Sequence, residues 1–338
     1  MFRAVSKILL TAGCIIFSVA NLRAGSLDDL KAASAAADNG NVDEAIRLFS
    51  QALSAGDLSP ADRILALTRR GGGYSAKGLI ADAFQKSDDA RRQRDNAIAD
   101  YSAALGLKAD ADLYVARAQD RDLNGQYDQA IADIDAALKL NASANALVQR
   151  GASYRAKGDY DHALADYTAA LAAAPKDGLE GWDIYNERGY ANFLAARYDA
   201  AADDFSKALT LGSAARTSDV LWLPYQIAWL HIARARAGQN DAEELARNSG
   251  TIDLKQWPGM LIAFFQGQLK TDQITPPSNH GSMGRARECN LAFFSGQQAL
   301  INNDGATAIP LFQRTRDICN IHSMQYLVAG VELKRLIK

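Results

Sequence analysis

Residues 147–175 read LVQRGASYRAKGDYDHALADYTAALAAAP, and this stretch decides the fold. In its second half, Ala163, Tyr167 and Ala170 are spaced by four and then three residues, which places all three on one stripe of an α-helix. The alanines let a neighbouring helix approach closely, and the tyrosine fills the groove between the two helices. In the first half, Gly151 permits the same close contact from the partner helix. The stretch therefore predicts two short helices packed against each other.

The same spacing of alanine, bulky residue and alanine occurs in four further segments of the chain. Gly158 permits the turn between the paired helices, and Pro175 ends the second helix. The four further segments contain Ala45, Phe49, Ala52; Ala97, Tyr101, Ala104; Ala130, Ile134, Ala137; and Ala201, Phe205, Ala208. Such a series resembles the tetratricopeptide repeat, a helix–turn–helix unit of about 34 residues. The resemblance implies an all-α fold, a right-handed α-solenoid of stacked helix hairpins that binds other proteins.

One repeat is longer than the others. The first alanines of successive repeats lie 33 or 38 residues apart, except that Ala45 and Ala97 are separated by 52. The additional residues predict an extended hairpin at about residues 75–100, with each helix about two turns longer and the end protruding. The charged run Lys86–Arg94 on that hairpin is either a solvated tip or a contact site. We favour the solvated tip.

The first 24 residues have the order of a secretory signal peptide. Two basic residues precede the apolar run Ile8–Ala20, which is too short for a comfortable membrane span, and cleavage is expected after Ala20 or Ala24. The alternative is an uncleaved amphipathic first helix. Cys14 follows an imperfect lipobox, and only its lipidation would bring peripheral membrane association. We predict soluble export, to the periplasm or beyond, without a lipid anchor.

Composition and motifs argue against several function classes. The formal net charge of −2 gives no basic face for nucleic acid. There are only four histidines, and neither HExxH nor CxxC occurs, so no metal site is predicted. No nucleophile elbow, phosphate loop or dinucleotide fingerprint appears. The sequence therefore predicts a protein that is not an enzyme and needs no cofactor.

Binding residues are expected on the concave face, which the first helices of such repeats line. Polar and aromatic side chains at these positions could hydrogen-bond an extended peptide or a partner helix. The predicted groove residues are Asp112, Gln119, Asn145, Gln149, Arg155, Asn186, Tyr190 and Phe193. The alternative is an ordinary solvated groove, with binding elsewhere.

Residues 26–213 are predicted to form the repeats, and residues 214–338 to form degenerate repeats and a helical C-terminal cap. A linker is predicted over Thr275–Gly284, followed by a last helix hairpin. Cys289 and Cys319 lie equally far from the turn of that hairpin, at residue 304, and are therefore placed to be neighbours. We predict a disulfide between them. Two buried free thiols are the alternative.

The C-terminal half carries a second likeness. The segments Gln256–Gly267, Glu288–Gly296, Ala308–Phe312 and Val331–Leu336 resemble the tail of the NlpI-type family of periplasmic adaptor lipoproteins. This resemblance implies a periplasmic scaffold that gathers client proteins, such as cell-wall hydrolases or a protease. Two other functions remain open: a structural subunit of an envelope secretion or division complex, and a hydrolase acting in a cleft between the repeats and the cap.

Overall fold

The computed structural model describes residues 25–84, 86–173, 179–215, 222–274 and 282–337. The predicted signal peptide, Cys14 and most of the predicted linker over residues 275–284 lie outside the described residues. Within them the chain forms sixteen α-helices and one 3₁₀ turn, Thr271–Gln273, and no β-strand. The helices are α1 (Ser26–Asp38), α2 (Val42–Ala55), α3 (Pro60–Ala83), α4 (Ser87–Leu107), α5 (Ala111–Leu123), α6 (Tyr127–Leu140), α7 (Ala144–Lys157), α8 (Tyr160–Ala173), α9 (Leu179–Leu194), α10 (Tyr198–Ala215), α11 (Leu223–Arg236), α12 (Ala242–Asn248), α13 (Met260–Phe265), α14 (Ser282–Ile301), α15 (Gly305–Ile318) and α16 (Met324–Leu336).

Consecutive helices pack as antiparallel pairs, and each pair packs on the next. The stripe of alanine, bulky residue and alanine is buried in all five repeats, and no member is more than 5% exposed. This confirms the prediction of an all-α solenoid built from helix hairpins. No described helix is both long enough and apolar enough to cross a membrane.

Residue size is matched across each helix pair. A Cβ atom on Gly151 would lie 2.8 Å from the ring of Tyr167, and one on Gly189 would lie 2.7 Å from the ring of Phe205. The third repeat has Ala118 in the equivalent place, packed in one cluster with the smaller Ile134. In these two repeats the missing side chain of glycine lets the aromatic ring rest directly against the backbone of the facing helix, whereas the first repeat packs Ala33 with Phe49.

A ladder of buried ion pairs joins one repeat to the next. In each of four repeats an arginine on the first helix donates two hydrogen bonds, through Nε and Nη2, to an aspartate on the second helix. Its Nη1 donates a third bond to the second helix of the preceding repeat. The pairs are Arg70–Asp100, Arg117–Asp133, Arg150–Asp166 and Arg188–Asp204, and the third partners are Ser50, Ser102, Asp135 and Thr168.

The extended hairpin is α3 with α4. These helices have 24 and 21 residues, against 13 or 14 in α5 to α8. Near its end, Asp82 forms an ion pair with Arg94 and lies 3.7 Å from Nε2 of His322, just before α16. In the charged run, residues 86–88 and 91–92 are exposed, as a solvated tip requires, whereas only 4% of the Arg94 side chain is exposed, so that prediction is wrong at Arg94. The hairpin reaches the C-terminal cap.

The C-terminal cap closes the stack and shares its core with the last repeat. One hydrophobic cluster contains Phe193 and Phe205 from the repeats together with Phe293, Phe312 and Val328 from the cap. The hairpin of α14 and α15 brings Cys289 and Cys319 together, with the two Sγ atoms 2.08 Å apart and the Cα atoms 5.1 Å apart. Cys289 and Cys319 therefore form a disulfide bond, as their equal distances from the turn predicted.

Helix α16 runs along the carboxyl ends of three first helices. Met324 contacts Arg155 at the end of α7, and Arg335 donates to the Leu194 carbonyl at the end of α9. Glu332, which is buried, pairs with Arg236 at the end of α11. One edge of the concave face is thereby closed by the chain itself, and the amino-terminal parts of α7 and α9 stay open.

Candidate protein-binding groove

An open depression of about 770 Å³ lies between α7 and α9 on the concave face. Three of the predicted groove residues, Asn145, Gln149 and Arg155, line it together with aliphatic and acidic side chains. The full lining is Ser143, Ala144, Asn145, Val148, Gln149, Ala152, Arg155, Asp183, Ile184 and Glu187. We call this depression the α7–α9 groove.

A second pocket of about 240 Å³ adjoins the groove, between α9 and α11. It shares Asp183 and Glu187 with the groove and contains two further predicted residues, Asn186 and Tyr190. Asp183, Glu187, Asn186 and Tyr190 lie on one face of α9, because their spacings are three or four residues. Five of the eight predicted residues are thus brought together.

The other three predicted residues lie elsewhere. Asp112 and Gln119 are exposed on α5 and line neither depression. Phe193 is completely buried, with its ring 5.5 Å from that of Trp229, so its assignment to the groove is wrong. Position 193 follows Gly189 by four residues, which places it on the stripe of α9 that faces the interior.

Arg155 is fully engaged at the closed end of the groove. Its Nη2 donates to Glu187 Oε2 at 2.7 Å, its Nε donates to the Tyr167 hydroxyl at 3.3 Å, and its Nη1 lies 3.7 Å from Met324 Sδ. Burial by itself would lower the pKa of Arg155, but the charges of Glu187 and Tyr167 and the hydrogen bonds to both together outweigh burial and raise that pKa. Arg155 therefore holds Glu187 and α16 in place and is not a free donor for a ligand.

The side-chain amides of Asn145 and Gln149, at the open end of the α7–α9 groove, are more accessible than that of Asn186. Asn145 is exposed and Gln149 is half-buried, so both can meet a ligand directly. Asn186 is only 6% exposed, and its Oδ1 accepts no hydrogen bond from the described residues. A buried carbonyl oxygen without a donor costs free energy, and a ligand that supplies an N–H would recover it.

Family and structure comparisons agree with the helical repeat architecture. Residues 144–177 match the family model of the tetratricopeptide repeat. A tetratricopeptide repeat protein from Parabacteroides merdae aligns over 93% of this chain and 99% of its own, at 15% identity and a TM-score of 0.56. The apo form of the quorum sensor NprR from B. thuringiensis aligns over 93% of this chain and 87% of its own, at 12% identity and a TM-score of 0.51. The fold is a tetratricopeptide solenoid. No curated protein matches the sequence, and none of these matches confirms the NlpI-type resemblance.

The ladder of arginine–aspartate ion pairs was not predicted from the sequence, although a repeated sequence pattern indicates it. The ladder arginine directly precedes the small residue of each first helix, as in Arg150-Gly151, and the aspartate follows the first alanine of the stripe by three, as Asp166 follows Ala163. These positions face each other whenever the two stripes pack together. A repeated arginine and aspartate at fixed offsets could have predicted the ladder.

Two carboxyl groups on α5, the buried Asp120 and the half-buried Asp122, point into the solenoid. Burial raises the pKa of Asp122 to about 7, although Ser153 donates to its Oδ2 at 2.6 Å and Arg155 is nearby. Burial likewise raises the pKa of Asp120 to about 6 against a hydrogen bond from Ser75 and the charge of Arg94. No group of three His, Cys, Asp or Glu side chains among the described residues is placed to hold a metal ion.

The Asp122 carboxyl should make the stability of the solenoid depend on pH. Its pKa is about 7 when folded and near the ordinary aspartate value of 3.8 when unfolded, so between these values the folded state binds more protons. The free energy of unfolding should therefore fall as the pH rises from 5 to 8, by about 2 to 3 kcal/mol from this group. Urea unfolding of the wild type and Asp122→Asn across this range measures the difference.

The control for that experiment is Asp112→Asn, which changes an exposed carboxyl on the same helix. It should leave the pH dependence of the wild type unchanged. If Asp122→Asn and Asp112→Asn showed the same slope as the wild type, the burial of Asp122 would have no energetic consequence.

Proposed function

We propose that this solenoid is an exported, periplasmic adaptor that binds an extended segment of another envelope protein in the α7–α9 groove. The observation that carries the proposal is the lining of that groove. Asn145 and Gln149 can each donate and accept hydrogen bonds, as the backbone of an extended chain requires. Val148, Ala152 and Ile184 supply apolar contact beside them.

The geometry favours binding over catalysis. The cleft between the repeats and the cap has a volume of about 330 Å³ and is lined mainly by aliphatic side chains with Arg155, Tyr160, Arg316 and Lys334. Its described lining includes no serine, cysteine, histidine or carboxylate, so nothing there supplies a nucleophile with a general base. The hydrolase alternative gains no support from this cleft.

Affinity capture from an envelope extract tests the proposal. The protein should carry its tag at the carboxyl terminus, and Gln149→Arg should block the groove with a long charged side chain. Clients such as cell-wall hydrolases or a protease, retained by the wild type, should be reduced by about tenfold or more, which corresponds to about 1.4 kcal/mol of lost affinity. Edman sequencing of the exported protein would check cleavage after Ala20 or Ala24.

The matched control is Gln129→Arg, the same substitution at an exposed position on the second helix α6. It should retain the full set of clients, and both variants should melt at the wild-type temperature. An identical client set for wild type and Gln149→Arg would remove the groove from the proposal. Clients that form one stoichiometric complex with the protein would favour the structural-subunit alternative.

A further inference from the structure

The cleft between the repeats and the cap carries positive charge without an acidic counterpart in its lining. Three basic side chains and a tyrosine, Arg155, Arg316, Lys334 and Tyr160, lie among aliphatic residues of α7, α9 and α16. The described lining contains no aspartate or glutamate, and it encloses a space of about 330 Å³. We call this space the cap cleft.

The Arg316 guanidinium is held in the cap cleft by packing and not by an acid. Its Cζ atom lies over the Tyr326 ring, 3.6 Å from the ring centroid. A Cβ atom on Gly330 would lie 2.8 Å from Nη1 of Arg316, so the guanidinium also occupies the space that this glycine leaves. No described residue accepts a hydrogen bond from Arg316 or forms an ion pair with it. A fixed guanidinium whose N–H edge lacks an acceptor is suited to an oxyanion.

Two further polar groups of the cap cleft have no described partner. Lys334 is exposed and takes part in no hydrogen bond or ion pair with a described residue, and the Tyr160 hydroxyl has no hydrogen bond to one. Burial raises the pKa of Tyr160, and the charges of Arg335 and Arg155 act against that rise. The positive potential of these two arginines therefore reaches the Tyr160 hydroxyl, which favours an anion beside it.

Two carboxylates that adjoin lining residues are already engaged by arginines. Glu187 pairs with Arg155 at 2.7 Å, and Glu332 pairs with Arg236 at 3.2 Å and with Arg335 at 3.1 Å. Neither carboxylate is therefore left to balance the charges of Arg316 and Lys334. Two positive charges without a counter-charge match a ligand group that carries two negative charges.

We propose that the cap cleft binds a phosphate monoester, with its phosphate between Arg316 and Lys334 and its organic group against the aliphatic wall. Such a phosphate carries about two negative charges at neutral pH and three acceptor oxygens. Arginine can donate two parallel hydrogen bonds to it, and the Tyr160 hydroxyl can donate another. Leu327 and Val331 supply the apolar contact. The proposal does not rest on the proposed function, because the cap cleft shares only Arg155 with the α7–α9 groove.

Calorimetric titration of the full chain with butyl phosphate, in a buffer free of phosphate and sulfate, should show one binding site. Butyl sulfate has the same shape with one negative charge and should bind at least about tenfold more weakly. The uncharged 1-butanol should not bind. Vesicles that contain phosphatidic acid present the same monoester on a lipid. Binding of butyl phosphate alone would identify a soluble ligand, and binding of both would identify a lipid headgroup.

Arg316→Gln should weaken butyl phosphate binding by about tenfold or more, because it removes the charge and the paired N–H donors. The matched control is Arg314→Gln on the same helix. Arg314 is exposed, lies outside the lining and is paired with Glu288, so this variant should bind as the wild type does. Circular dichroism should show the wild-type helix content for both variants.

Gly330→Ala tests the position of the guanidinium without removing any charge. The new Cβ would displace the flexible end of Arg316, and alanine favours the helix more than glycine does. The variant should therefore be at least as stable as the wild type, yet bind butyl phosphate about threefold to tenfold more weakly. Gly106→Ala, where a Cβ would meet nothing within 4 Å, should leave the affinity unchanged.

Equal affinities for butyl phosphate and butyl sulfate would overturn the proposal, since two positive charges would then not be what selects the ligand. Absence of butyl phosphate binding, by calorimetry and by phosphorus NMR alike, would overturn it as well. Wild-type affinity in Arg316→Gln would place any bound phosphate elsewhere and would also contradict the proposal. Gln149→Arg should bind butyl phosphate as the wild type does, so the cap cleft and the client groove are tested separately.

Discussion

Gly189→Ala should lower the free energy of unfolding by about 2 to 3 kcal/mol, although it adds a single methyl group. The new Cβ would lie 2.7 Å from Cε1 of Phe205, closer than real Cβ atoms come to a neighbour. Phe205 cannot move away, because it is completely buried with its ring 5.2 Å from Tyr190 and 5.9 Å from Trp229. The two helices of this repeat must therefore separate or distort. Urea unfolding followed by circular dichroism measures the loss.

A second substitution should restore part of that loss. Phe205→Ile gives the combination of alanine with isoleucine that the third repeat uses at Ala118 and Ile134. The double variant should be more stable than the sum of the two single effects predicts, with a coupling on the order of 1 kcal/mol. Purely additive effects would mean that the ring of Phe205 is not what excludes the methyl group.

Gly106→Ala is the control for the glycine series. Gly106 is exposed near the end of α4, and a Cβ there would meet nothing within 4 Å. Because alanine is the better helix former, this variant should be neutral or more stable by up to about 1 kcal/mol. If it were as damaging as Gly189→Ala, helix packing could not explain the first result.

Arg70→Leu should lower the free energy of unfolding by about 3 kcal/mol. Arg70 donates to both carboxylate oxygens of Asp100, at 2.8 and 2.7 Å, and the Asp100 side chain is only 7% exposed. No other described side chain is hydrogen-bonded to that carboxylate, so the substitution leaves a buried charge without compensation. The bond from Arg70 Nη1 to Ser50 in the preceding repeat is lost as well. Equilibrium unfolding in urea measures the change.

Removing the second charge separates the cost of an unpaired carboxylate from the value of the pair. The variant with both Arg70→Leu and Asp100→Leu should recover most of the loss, since neither position then carries a buried charge. Arg47→Leu is the matched control, because its pair with Glu44 is largely exposed and screened by solvent and should contribute little to stability. Equal effects of Arg70→Leu and Arg47→Leu would contradict the structural role of the ladder.

Much of the fold could be predicted because residues that are three or four positions apart in the sequence lie on the same face of a helix. Ala163, Tyr167 and Ala170 share a stripe by spacing alone, and all three are completely buried. The contact between Cys289 and Cys319 was predictable for the same reason, since equal distances from a turn give equal heights in an antiparallel pair. The length of the hairpin formed by α3 and α4 followed from a simple count of residues.

The candidate site was only partly accessible to such reasoning. Asn145 and Gln149 line the groove as predicted positions on a first helix, but Phe193 turned out to belong to the core. The choice between groove and core for residues of α9 depends on where α11 and the cap pack, and these elements depart from the repeat pattern. The pocket between α9 and α11 was not predicted, because Trp182 and Trp222 are separated by 40 residues and by the whole of α10.

By itself the sequence determined which residues of each repeat face a partner helix, and therefore that the hairpins stack into a solenoid. Only the tertiary structure decided that Asp82 in α3 lies near His322 before α16 and that Arg155 forms an ion pair with Glu187. It also decided that five aromatic rings lie around the pocket that contains Asn186. The physical reason is that helical spacing fixes directions within one repeat, whereas the superhelix accumulates a small rotation at every interface between repeats. Each rotation depends on the volumes of many packed side chains. Whether two distant residues come into contact depends on the sum of all the rotations between them.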